Sequence, residues 1–78
     1  MSDNKQEKAI KAIDEMLHNL NKPKTISYKD IASFYKKIEE MYDGKLEELE
    51  EILFEEISDK QKFEKLKKIS ELLEINIF

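Results

Sequence analysis

The residues from Ile26 to Gly44, ISYKDIASFYKKIEEMYDG, decide the fold. Ser27 carries a short hydroxyl that can accept a hydrogen bond from the amide three positions on, and Asp30 stands at that position. Ile26 and Ile31 occupy the two places of a hydrophobic staple around the same start. Together these spacings predict a helix that begins at Tyr28. Within it Tyr28, Ile31, Tyr35, Ile38 and Tyr42 recur at alternating steps of three and four, the spacing of a heptad seam, while Phe34 and Met41 widen the apolar face. Asp43-Gly44 is expected to close the helix, because glycine takes the left-handed conformation at little steric cost.

The same period continues on both sides. Ala9, Ile10, Ile13, Met16, Leu17 and Leu20 predict a helix from about Asn4 to Leu20. It should stop near Asn21-Lys22-Pro23, since proline disfavours helical geometry before it and lacks an amide hydrogen. After Gly44, Leu46, Leu49, Ile52, Leu53 and Ile57 form one stripe, with Glu47, Glu48, Glu51 and Glu55 on the opposite side. Ser58 with Gln61 has the spacing of a second capping box, after which Phe63, Leu66, Ile69, Leu73 and Ile77 form a further stripe. A break is placed near Ser58-Asp59, with one continuous helix from Lys45 to Glu74 as the alternative. The last apolar residues, Ile77 and Phe78, either close the end of the core or form an exposed tail. The expected fold is all-α, a small antiparallel bundle of three to four helices in one domain over residues 1–78.

Composition supports that reading. Charged residues make up 41% and hydrophobic residues 40% of the 78 positions, with a single glycine and a single proline, which favours helices over strands. A core of this size is small, and with no cysteine it has neither disulfide nor thiolate metal site to staple it. No apolar run approaches the roughly 20 residues of a membrane span. Because the first residues are charged rather than leader-like, a cytoplasmic location is expected. All 14 basic residues are lysines, so the planar fork with which arginine reads guanine or clamps phosphate is missing.

Motifs that carry chemistry are scarce. Glu15 and His18 have the Glu-x-x-His spacing of a di-iron bundle, but one copy is not a site, and both project away from the Ile10, Ile13 and Leu17 face. Adjacent glutamates such as Glu47-Glu48 and Glu50-Glu51 point about 100° apart on a helix and do not converge on one ion. The serines lack a histidine-plus-acid pair to activate them. The expectation is therefore a non-enzyme without metal or cofactor.

Charge is segregated along the chain. Nine acids between Glu39 and Glu56 face the single Lys45, while lysines cluster before the block and again from Lys60 to Lys68. A solvated acidic helix between basic neighbours explains this without any function. The functional reading is a protein-protein interaction module, an inhibitor, regulator or immunity-type protein, whose site is Glu47, Glu48, Glu51 and Glu55 and whose partner is another protein, basic in character. A second candidate surface is Tyr28, Phe34, Tyr35, Ile77 and Phe78, and the seam allows a homodimer. The alternative is a nucleic-acid-binding regulator resembling a helix-turn-helix, opened by Thr25-Ile26-Ser27-Tyr28. Its recognition helix would be the acidic one, which repels phosphate.

Overall fold

The computed structural model describes residues 2–22, 26–41 and 43–77. Among them the chain forms α1 (Ser2–Asn19), α2 (Tyr28–Met41), α3 (Asp43–Phe54) and α4 (Asp59–Leu72), with no strand. Short connections make successive helices antiparallel neighbours. α1 and α3 touch each other across the middle, α2 and α4 each pack against both, and α2 and α4 do not pack on one another. The residues after α4 bridge these two helices: Ile75, Asn76 and Ile77 share a shallow depression with Asp30, Ser33, Phe34 and Lys37 of α2.

Both predicted helix starts are present. The Asp30 amide donates to Ser27 Oγ at 3.2 Å, and the Ser27 amide donates back to Asp30 Oδ2 at 3.3 Å. Ile26 and Ile31 are both buried, so the staple holds the chain as it enters α2. At α4 the Gln61 amide donates to Ser58 Oγ and the Ser58 amide donates to Gln61 Oε1, each at 3.3 Å. The chain therefore breaks between Phe54 and Asp59, and the continuous helix to Glu74 is not formed. Asn19 of α1 reaches Asp59 Oδ2 at 2.8 Å, which fixes the end of α1 beside the start of α4.

Closure of α1 falls at Asn21, near where the sequence reading places it, but the end of α2 does not follow that reading. Gly44 does not close α2: it lies inside α3 and has no positive φ. Pro23 and Tyr42 fall outside the described residues. What closes α1 is Asn21 at φ 58°, with its amide on the His18 carbonyl at 3.0 Å and the Lys22 amide on the Leu17 carbonyl at 2.8 Å. α4 ends the same way around Glu74 at φ 56°, whose amide reaches the Glu71 carbonyl at 3.1 Å while the Ile75 amide reaches the Ser70 carbonyl at 2.8 Å. These paired bonds are the Schellman pattern, built here on asparagine and glutamate instead of glycine. The buried Ser70 hydroxyl also donates to the Ile75 carbonyl, so the turn after α4 is held from both sides.

One apolar cluster draws on every helix. Ile13, Met16 and Leu17 of α1, Ile31, Phe34 and Ile38 of α2, Leu49 of α3 and Leu66 of α4 are almost completely buried. Ile75 joins them, while Ile77 is only partly covered. Ile31, Tyr35 and Ile38 of the α2 seam are thus spent within the chain, since all three face this core. Met41, expected to widen the apolar face, is instead about half exposed.

Two stability measurements follow from this packing. Ile31→Ala or Ile38→Ala removes a side chain with no solvent exposure and should cost about 2–5 kcal/mol in chemical denaturation. Glu74→Gly relieves a left-handed glutamate and should raise stability by roughly 1 kcal/mol. A loss on that substitution would show that the Glu74 side chain does more than tolerate the turn.

Candidate interaction surface

Glu47, Glu48 and Glu51 are exposed on α3, as a helix with Leu49, Ile52 and Leu53 buried requires, and Glu55 is exposed just beyond its end. They are not equivalent. Glu48 pairs with Lys45 at 3.0 Å and Glu55 with Lys65 of α4 at 3.5 Å, whereas Glu47 and Glu51 have no ion-pair partner among the described residues. Pairs this exposed add little stability, but they do partly neutralise their carboxylates. The acidic face is therefore split, and only the side turned toward α1 keeps its full charge.

Phe54 lies on that side. Glu47, Glu51 and Phe54 are spaced by four and three, so they form one row, and Phe54 is 52% exposed at its end. The row borders one open depression with Lys5 and Glu50. On the other side of Phe54 a second depression is lined by Lys8, Lys11, Glu15, Asn19 and Lys62. The sequence reading missed Phe54 as a surface aromatic. The signal was its phase, since seven residues after Glu47 it belongs to the acidic row and not to the Leu49–Leu53 stripe.

Glu50 was missed in the opposite sense. It stands four residues after Leu46 and three before Leu53, inside the apolar stripe, and the fold buries it. Its two oxygens are both engaged: Tyr35 Oη donates to Oε2 at 2.5 Å and Lys5 Nζ lies 3.1 Å from Oε1. One carboxylate thus joins α1, α2 and α3. Burial is the main cause that pushes the Tyr35 phenol well above its ordinary pKa, followed by its hydrogen bond to Glu50 and the charges of Glu50 and Glu39.

The second candidate surface does not assemble. Tyr28 is about half exposed, but Phe34 and Tyr35 are buried in the core, Ile77 is partly buried and Phe78 lies outside the described residues. The structure corrects Phe34 and Tyr35 from surface to interior because both sit on the α2 face that meets α1 and α3. Glu15 and His18 are exposed on α1. No group of three or more histidine, aspartate or glutamate side chains able to hold a metal occurs among the described residues. No described helix is long and apolar enough to cross a membrane.

Comparison with protein-family models, with curated proteins and with solved structures gives no significant match to any of them.

The buried triad has a pH signature. In the fold the Tyr35 phenol keeps its proton at pH values where the unfolded chain has already released it. Its contribution is therefore complete below about pH 10 and falls as pH rises beyond that point. Urea denaturation across this range should show a decline that is shallower in Tyr35→Phe. At neutral pH Tyr35→Phe should itself cost about 1–3 kcal/mol, because the buried carboxylate is left with Lys5 alone.

Proposed function

We propose that this chain is a non-enzymatic interaction module, a small inhibitor, regulator or immunity-type protein that binds a basic, amphipathic segment of another protein on the Glu47–Glu51–Phe54 row. The observation that carries the reading is the exposure of Phe54 beside two carboxylates that have no ion-pair partner among the described residues. An aromatic side chain already held by a helix loses little freedom on binding and covers much apolar area, the character of an interface anchor. Flanking carboxylates attract a cationic partner and orient it before contact. The nucleic-acid reading is weaker, since α3 follows α2 where a recognition helix would stand and would turn Glu47, Glu48 and Glu51 toward phosphate.

The test begins with recovery of partners from a native host lysate at low and high salt, followed by kinetics on the purified partner. Glu47→Lys/Glu51→Lys should slow association about tenfold and flatten its salt dependence. Phe54→Ala should mainly hasten dissociation. An identified partner that binds both variants with wild-type kinetics would remove this row from consideration.

A further inference from the structure

On the other side of α3, Glu48, Glu51 and Glu55 recur at steps of three and four, and on α4 Lys65, Lys68 and Leu72 do the same. These two rows flank an open groove with Ile52 and Ile69 beneath it and Lys45 at its rim. Leu72 is 66% exposed, a large apolar side chain left in water next to the two lysines. Three residues after Ile69 and four after Lys68, it stands at the edge between the buried stripe and the lysine row and stays in water.

The charges in the groove balance. Three carboxylates and three ammonium groups line it, although the chain as a whole carries a net charge of −4; Glu48 pairs with Lys45 and Glu55 with Lys65 within the chain, which leaves Glu51 and Lys68 without an ion-pair partner among the described residues. A uniformly basic or uniformly acidic partner would meet as many like charges as opposite ones. What fits is a surface with an acidic row beside a basic row, and this chain carries that surface itself. We infer that the α3–α4 groove is the contact face of a homodimer, occupied by a second copy of the chain.

A two-fold axis running along the groove lays α4 of each copy over α3 of the other. Lys68 of each copy then meets Glu51 of the other, and Leu72 covers its apolar floor. The arrangement is isologous and closes at two chains, so it does not propagate into fibres. The extents of one chain are only 29 × 27 × 23 Å. A groove-wide contact therefore falls short of the roughly 800 Å² per partner of a standard interface, and the dimer is weak and salt-sensitive. Glu47 and Phe54 lie on the far side of α3 and only Glu51 lines both depressions, so this inference does not rest on the proposed function.

Sedimentation equilibrium of the full chain at low salt, from micromolar to millimolar concentration, tests it. The average mass should rise from the 9.3 kDa of one chain toward twice that value, and added salt should lower it. Glu51→Lys and Lys68→Glu should each be monomeric alone, because like charges face one another. Mixed in equal amounts they should pair, since every contact is again between opposite charges. Leu72→Glu alters a mostly exposed position and should raise the dissociation constant about tenfold or more with the helical circular dichroism intact. That variant also serves if the charge variants do not fold. A constant one-chain mass for the wild type overturns the inference, as does a dimer indifferent to Leu72→Glu or a mixture of two folded charge variants that stays monomeric.

Discussion

A buried carboxylate has to find partners for both its oxygens, and the arrangement of three helices in this protein follows from how Glu50 does so. Tyr35 of α2 donates to one oxygen and Lys5 of α1 approaches the other. Apolar packing alone constrains register loosely, because a leucine or isoleucine can exchange one apolar neighbour for another at modest cost. A carboxylate cannot. A slip of α2 past α3 by one turn would strip Glu50 of the Tyr35 hydroxyl and leave two polar groups buried without partners. The triad thus adds selectivity to a core whose stability comes from Ile13, Ile31, Phe34, Leu49, Leu66 and their neighbours. Lys5 stays largely in water and carries its charge inward on a flexible stem, which lets the beginning of α1 join the arrangement without a second buried charge.

Turning Glu50 inward also organises the outside of α3. The remaining carboxylates divide into a row toward α1, where Glu47 and Glu51 lead to Phe54, and a row toward α4, where Glu48, Glu51 and Glu55 face Lys65 and Lys68. Each row ends beside one exposed apolar side chain, Phe54 or Leu72. Charges around such a side chain discourage indiscriminate sticking, because a partner has to match them before it reaches the apolar contact. Segregated charge, which a solvated surface alone would explain, becomes selective when an apolar anchor lies within it.

The capped helix starts were legible in the sequence, whereas of the helix stops only the place of the first one was, for a physical reason. Ser27 with Asp30 and Ser58 with Gln61 satisfy amides within the same turn, so the information is local and survives in the structure. Left-handed closure at Asn21 and Glu74 needs only that some residue tolerate a positive φ, and tertiary packing selects which one. Ile75 is buried immediately after Glu74, so burial of the tail drives the turn and the glutamate accepts its steric cost. Gly44 had the right chemistry for a stop but stands where α3 is already helical. The candidate site was legible to the same extent. The exposure of Glu47, Glu48 and Glu51 follows from period alone, and so does the pairing of Glu48 with Lys45 one turn away, whereas the neutralisation of Glu55 depends on Lys65, which only the fold brings beside it.

Glu51 belongs to both rows of α3, lining the depression toward α1 and the groove toward α4. A cation bound on one side lowers the negative potential on the other, because the two depressions share this carboxylate and lie on opposite flanks of one helix. Self-association through the groove and capture of a basic segment beside Phe54 therefore oppose each other electrostatically, although they touch different apolar anchors. Linkage makes that opposition reciprocal: whatever free energy the second copy takes from the basic partner's binding, the partner takes equally from the dimer. A weak dimer is well suited to such an exchange, since a modest antagonism is enough to shift an equilibrium that is itself nearly balanced. The two proposals are thus joined by one residue, and α3 is where a change in one would be felt in the other.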